Sequence, residues 1–531
     1  MTAEGYLVPH GASLSALLRL RYARHDGEPA VHLEDGWLSY GALGELVFQA
    51  ANALTAAGIA AGDRVGTLLP NNRAFLATWL AAAELGAVLV PVNINLTGDT
   101  LRYIVEHADL RTLLVDAETL PSYSAAFGET HPAPLVVAAN ADLPGAPRWE
   151  RLLAAASPAP PPLLAERRAD PALIIYTSGT TGRPKGVVLS RAAQLAHGWY
   201  YGRDFVRLGP GETAYTCLPL FHVTSMGFSL GCLLHGAAVA IEPRFSPFAF
   251  WEQIRRFGAQ IFPYVGAMIG LLHAHPERPD DRDQPARRAI GAATPLHLWE
   301  PFERRFGLSL IETYGQSEMA SLWLLPPPEG RRLGTVGKPV PRFDARIVGE
   351  DGSALPPDTV GELLLRPHDP LLGARGYFRD DETTRRVFRA DGWYATGDAA
   401  SRDADGFFRF HGRLRDFIRR RGENVSAFEV ERAALTHPAV REAAAVGVPS
   451  ALGEEEIKLC VLLEAGAALE PAALFRYLRP RLAPFMQPRY IQIYADFPRT
   501  ATQRVQKYRL AADGITPKTW DRHGARGGRP A

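Results

Sequence analysis

Up to about residue 310 the chain alternates short apolar runs with amphipathic stretches, and this alternation narrows the fold more than any other feature. The runs include Ala87–Val92, Leu113–Val115, Leu135–Val137 and Ala237–Ile241. Runs this continuous suit parallel strands buried on both faces by helices. After Gly334 the texture changes to short strands with turn signals, at Ala345–Val348, Gly361–Arg366 and Gly406–Phe410, which reads as a small β-subdomain. A further unit begins near Arg413, with a helix over Ala427–Leu435 and strands over Ala443–Val448 and Lys458–Leu463. The expected class is α/β: a large N-terminal domain of helix-covered sheets plus the β-subdomain, then a small α+β C-terminal domain. A chain of 531 residues exceeds what one core supports. The expected boundaries are 1–412, 416–515 and a Gly/Arg-rich, disordered tail over 516–531. Ser157–Pro162 reads as a stiff linker.

Composition excludes several classes. A net charge of +1 predicts no attraction to nucleic acid or acidic membranes. Cys217, Cys232 and Cys460 lie far apart, which predicts neither a disulfide framework nor a zinc site. The most apolar stretch, Ala74–Val92, is broken by Glu84, Gly86 and Pro91 and reads as a helix running into a buried strand, not a membrane span. No basic region followed by an apolar run opens the chain, so a cytoplasmic location is expected.

Chemistry first shows itself at Tyr176-Thr-Ser-Gly-Thr-Thr-Gly-Arg-Pro-Lys-Gly186, between the apolar runs Pro171–Tyr176 and Val187–Leu189. Its small residues let backbone N–H groups close around phosphate oxygens; its hydroxyls add donors and Lys185 a point charge. The Walker A spacing is absent, so this is not an ordinary P-loop NTPase. The loop resembles the phosphate-binding signature of the acyl-adenylate-forming superfamily, which includes acyl-CoA synthetases, luciferases and peptide-synthetase adenylation domains. The resemblance implies an ATP or AMP site at Thr177, Ser178, Gly179, Thr180, Thr181, Gly182 and Lys185.

Further matches follow in order and extend the resemblance from about residue 38 to about residue 510. Gly291-Ala292-Ala293-Thr294 resembles the ledge beneath the adenine, where small side chains let a flat base approach closely. Tyr314-Gly-Gln-Ser-Glu318 resembles the motif whose tyrosine stacks on adenine and whose glutamate holds Mg²⁺. The resemblance places Thr313, Tyr314, Gly315 and Ser317 at the nucleotide and Glu318 at the metal. Asp398, in Trp393–Asp398, suits the ribose hydroxyls, and Arg413 falls at a ribose- and phosphate-contacting position. Arg415 falls at the hinge about which the C-terminal domain swings between adenylate-forming and thioester-forming poses. Arg419–Ser426 resembles the carnitine-CoA-ligase-like branch, which implies CoA contacts at Arg421, Gly422 and Glu423. Leu218–His222 resembles the start of the acid-recognition helix, implying an acyl pocket at His222, Val223, Tyr264 and Gly266. Gly227, Gly266, Gly270 and Ala320 suggest a roomy pocket, suited to a medium-chain or polycyclic acid.

One segment departs from the pattern. Relatives have Pro-x-Thr-x-x-Gly-Lys where this chain reads Pro498-Arg-Thr-Ala-Thr-Gln-Arg504. Arg504 therefore stands at the lysine that bridges the acyl carboxylate and the α-phosphate, and Lys507 is out of register. Arginine keeps the charge but replaces a compact ammonium with a wide planar fork. Losing such a preorganised contact costs roughly 3–4 kcal/mol, about 10²–10³ in rate. The expected catalytic residues are Lys185, His222, Glu318 and Arg504. The expected function is an acyl-CoA ligase working through acyl-AMP, with ATP, Mg²⁺ and coenzyme A. Its adenylation half is expected to be weak or lost, as in non-adenylating ligases of natural-product pathways, with a separate adenylating enzyme supplying the acyl-adenylate. A fully ATP-dependent synthetase and a stand-alone enzyme loading a carrier protein are the alternatives.

Overall fold

The computed structural model describes residues 11–128, 135–177, 183–327, 330–420, 423–449, 455–482, 484–499 and 505–524. It divides into two compact units: residues up to Leu333 with Gly337–Asp344 and Arg366–Trp393, and Gly334–Val336 with Ala345–Leu365 and everything from Tyr394.

The first unit holds two large sheets. One runs Leu135–Ala139, Thr112–Asp116, Arg64–Leu68, Val88–Pro91, Pro171–Thr177, Lys185–Ser190; it is parallel except for the last pair, an antiparallel hairpin. The other runs Ser309–Glu312, Arg288–Ala292, Ile261–Val265, Thr213–Thr216, Ala238–Ile241, Pro29–Leu33, Gly36–Ser39 and is parallel up to its final antiparallel strand. Every residue of Val88–Pro91 and of Ala238–Ile241 is buried, which is why these strands carry no polar alternation. The helix Arg73–Leu85 is buried almost all round; Asn72 caps its start by accepting from the Phe75 N–H (2.9 Å), and Gly86 ends it in the left-handed region (φ 70°). The helix Arg191–Tyr200 continues into a π-helical turn, Tyr201–Val206, packed on Val223–His235 where Gly202 meets Gly231 too closely for a side chain on either. Cys217, Cys232 and Cys460 are buried free thiols. No helix among the described residues is long and apolar enough to cross a membrane.

The second unit begins with a sheet whose strands, in order, contribute residues 345–348, 361–365, 394–402 and 408–413 to it. It continues with the hairpin Phe417–Arg420/Glu423–Ser426 and a sheet ordered Val440–Pro449, Glu455–Leu463, Tyr490–Ile493, Trp520–Asp521. The last strand corrects the expectation of a disordered tail from 516. Trp520 packs on Phe475 and Asp521 pairs with Arg489 (3.2 Å), holding the segment as an edge strand. Residues 525–531 lie outside the described ones.

Candidate active site

In the hairpin Pro171–Thr177/Lys185–Ser190, Thr177 lies opposite Lys185, so both ends of the phosphate-type loop meet side by side. Ser178, Gly179, Thr180, Thr181 and Gly182 lie outside the described residues. The segment Gly376–Phe378 runs along the second strand: Val188 N–H donates to Gly376 O (3.0 Å) and Phe378 N–H to Gly186 O (2.7 Å). This pairing carries Tyr377 to both acidic and basic partners. Its hydroxyl donates to Glu318 Oε1 (2.9 Å), and Lys185 Nζ lies 5.4 Å from its ring centroid and donates to Thr383 Oγ1 (3.3 Å). Lys185, Tyr377 and Glu318 thus form one array, with an ammonium and a carboxylate bridged by a phenol. Tyr377 and Thr383 were not found from the sequence; the Gly-Tyr-Phe at 376–378 was the available signal.

Around the ledge the structure adds a carboxylate that the motifs missed. Glu312, directly before Thr313-Tyr314, accepts from Ala293 N–H (2.6 Å), Thr294 N–H (3.1 Å), Tyr264 OH (3.2 Å) and Thr294 Oγ1. Burial pushes this carboxyl up, against the donors of Thr294, Ala293 and Tyr264. Glu312 fixes Ala293 in a left-handed conformation (φ 64°), leaving Ala292 and Ala293 exposed as a flat lip. Thr313 ties the next strand to the same edge, its N–H and hydroxyl both donating to Gly291 O (2.8 and 2.9 Å). Tyr314 is buried and its hydroxyl accepts from Gln316 Nε2 (3.0 Å), whereas Gly315 is exposed and Ser317 half-buried. Gly291 has a packing reason as well, because a Cβ there would overlap the Tyr264 carbonyl.

His222 directly precedes the helix Val223–His235 and lies exposed against Phe221 (4.7 Å between rings), with Val223 half-buried beside it. Buried Asn71, also missed, places this turn: its Nδ2 donates to Leu218 O (3.0 Å) and Glu242 O (2.9 Å), and its Oδ1 accepts from Leu220 N–H (2.7 Å). The expectation of a roomy pocket is corrected at two positions. The space over Gly227 is filled by the His197 imidazole, and that over Gly266 by the Ala293 carbonyl. Tyr264 is fully buried under the lip, its hydroxyl on Thr294 Oγ1 (2.7 Å), so it supports the ledge.

In the second unit Asp398 and Arg413 are cross-strand neighbours and form an ion pair (Nε–Oδ1 2.9 Å); Arg413 also donates to Thr396 O (3.0 Å). The middle residue of the run Arg419–Arg421 has a structural role. Arg420 is buried, paired with Glu456 (2.7 Å), and donates to Phe485 O and Gln487 O (2.8 and 3.0 Å), so it holds structure together. Arg421 and Gly422 lie outside the described residues, as do the side chains of Arg415, Arg419 and Glu423. Arg504 also lies outside them, but the pairing of Arg499 with Val505 brackets its segment. Lys507 is committed elsewhere: its ammonium meets Glu431 (2.7 Å) and Asp416 (3.4 Å). Burial lowers that ammonium's affinity for its proton, but the two carboxylates outweigh it and hold it above the ordinary lysine range.

Residues 18–378 match the AMP-binding enzyme family, and residues 429–504 match the AMP-binding enzyme C-terminal domain. The chain belongs to the AMP-binding enzymes. Among its relatives in this family, sulfoacetate–CoA ligase of Cupriavidus necator is 34% identical over 507 residues, covering 94% of this chain and 97% of its own. Crotonobetaine/carnitine–CoA ligase of Salmonella paratyphi A is 29% identical over 479 residues, covering 89% and 92%. The benzoate CoA ligase from Burkholderia xenovorans LB400 superposes with a TM-score of 0.84 at 26% identity, covering 94% and 100%. An anthranilate CoA ligase in complex with anthranoyl-AMP shares the fold, with a TM-score of 0.87 at 24% identity over 97% and 99%. This AMP-binding enzyme is accordingly a ligase of the acid–thiol class.

Proposed function

We propose that the chain is an acyl-CoA ligase that activates a carboxylic acid as its acyl-adenylate, passes it to coenzyme A, and adenylates slowly. The observation carrying the slow step is the commitment of Lys507 to Glu431 and Asp416, which leaves Arg504 at the position of the bridging lysine. In adenylation a carboxylate oxygen attacks the α-phosphorus and pyrophosphate departs with the bond electrons. Lys185 would neutralise phosphate charge, and the Glu312-held lip would seat the adenine beside Tyr314. Asp398 and Arg413 are assigned to the ribose, His222 and Val223 to the acid, and Arg415 to the hinge.

The residues fit Mg²⁺. No group of three or more His, Cys, Asp or Glu able to hold a metal occurs among the described residues. Glu318 nonetheless keeps Oε2 without a hydrogen bond among them while Tyr377 orients Oε1. That suits an ion held by one carboxylate plus phosphate oxygens and water, supplying charge neutralisation when bound. Filled space over Gly227 and Gly266, together with the sulfoacetate relative, supports a compact acid over a polycyclic one.

A second reading, in which a separate enzyme supplies the adenylate, draws on the same Gln503-Arg504 departure. The test is ATP–pyrophosphate exchange over an acid panel that includes sulfoacetate, with wild type beside Arg504→Lys. We expect measurable exchange in the wild type and a rise of about 10²–10³ in the variant. Exchange in the variant alone would favour the supplied-adenylate reading. Equal rates would remove the argument for a slow step. Offering CoA and a holo-carrier protein in parallel then decides the acceptor.

A further inference from the structure

The second unit holds a chain of polar side chains that the ligase chemistry does not use. Ser401 lies in the strand Tyr394–Arg402 and His411 in its neighbour Phe408–Arg413, where Ala400 pairs with Phe410 but Ala399 with Gly412. His411 is therefore the extra residue of a β-bulge, a device that re-aims a side chain out of the ladder. Its Nε2 lies 2.9 Å from Ser401 Oγ, and its Nδ1 lies 3.1 Å from Oε1 of Glu429 in the helix Ala427–Leu435. Ser426 pins this arrangement. Its hydroxyl donates to His411 O (2.6 Å), and its oxygen caps the helix by accepting from Glu429 N–H (3.3 Å). The hydrogen bond from His411 holds the Glu429 carboxyl below its usual range, against its burial. An ionised carboxylate only accepts, so Nδ1 carries the proton, and Nε2 of the neutral ring is left to accept from the Ser401 hydroxyl. Pairing a histidine with a glutamate does not by itself bring a hydroxyl to the other nitrogen. His25 meets Glu28 in the same way (3.0 Å), yet its Nε2 is buried without a partner.

Hydroxyl, imidazole and carboxylate in this order and at these distances are the parts of an activated serine nucleophile. We propose that Ser401 is the nucleophile of a second, hydrolytic centre that cleaves small activated acyl esters and thioesters. Little of Ser401 reaches solvent (7%), which restricts the donor to a short acyl group. Ser401 Oγ attacks the carbonyl carbon as its proton passes to His411 Nε2. The bond to the leaving oxygen or sulfur breaks with its electron pair, and the imidazolium returns the proton to that atom. Water then attacks the acyl-serine by the same route, releasing the acid and restoring the hydroxyl. None of these residues is assigned to the nucleotide, the acid or coenzyme A, so this centre stands or falls apart from the adenylation reading.

The test treats the full chain with a fluorophosphonate probe, from whose phosphorus Ser401 Oγ would displace fluoride. Hydrolysis of p-nitrophenyl acetate and of acetyl-CoA is followed beside it, in wild type, Ser401→Ala, His411→Gln and Glu429→Gln. We expect the probe adduct on Ser401 by mass spectrometry, and loss of both labelling and hydrolysis in Ser401→Ala. His411→Gln should slow both by about 10²–10⁴. Glu429→Gln, which no longer fixes the tautomer, should slow them as well. Ser401→Ala removes a single hydroxyl, and an unchanged thermal unfolding midpoint would tie its lost activity to the nucleophile. Turnover of one donor alone would keep the centre and assign its leaving atom. Adducts on other serines only, hydrolysis unchanged in Ser401→Ala, or a wild type that neither labels nor hydrolyses overturns it.

Discussion

Lys507, out of register in the sequence, is given a role by its neighbours. Held by Glu431 and Asp416, it neutralises a buried carboxylate. Removing one partner of such a pair is more damaging than never having had the pair, because an uncompensated charge stays behind. Lys507→Ala should therefore lower unfolding free energy in urea by about 3 kcal/mol, while exchange per folded molecule stays near wild type. A folded variant without exchange would make Lys507 the catalytic cation. At this scale the sequence singled out Lys185 and Glu318, and the structure places both against Tyr377. Tyr377, Thr383, Glu312 and Asn71 were invisible because they act on distant partners: Thr383 lies 198 residues from Lys185, and Asn71 lies 147 from Leu218.

At the level of elements, strands were readable because continuous apolar runs have few fates in an α/β chain, and the helix at Ala427–Leu435 emerged with its bounds. What glycines do inside helices was not readable. Gly227 looked like free space, yet the neighbouring helix fills it with His197. Alanine there gains roughly 1 kcal/mol of helix propensity. It also forces a methyl into a buried imidazole, which costs about 1–3 kcal/mol of overpacking. The clash should win, and thermal unfolding of Gly227→Ala should show a lower midpoint. The mirror-image error occurred at Trp520, where a Gly/Arg-rich neighbourhood hid an edge strand stabilised by Phe475 and Arg489.

For the molecule as a whole, the same buried imidazole sets a pH response. Burial brings the His197 pKa down to about 3, whereas an unfolded histidine titrates near 6.5. Between those values the unfolded chain binds the extra proton, so stability rises with pH by about 1.4 kcal/mol per unit from this group. Its contribution is fully present above about pH 6.5 and is lost as the pH falls toward 3. His197→Gln should flatten the urea-derived stability slope between pH 6.5 and 4 by about that amount; an unchanged slope would mean that the ring finds solvent in the folded state.

An enzyme proposed to handle a free thiol all day must avoid becoming disulfide-linked to it. Burial pushes the Cys217 and Cys460 thiols up to about 12 and Cys232 higher still, so almost no thiolate exists near neutrality. Oxidised coenzyme A therefore finds no nucleophile on the native surface among these cysteines. In Ellman's assay the native chain should release almost no colour, with Cys217 and Cys232 reporting the opening of the first unit and Cys460 that of the second, which makes their reactivity a built-in clock for each.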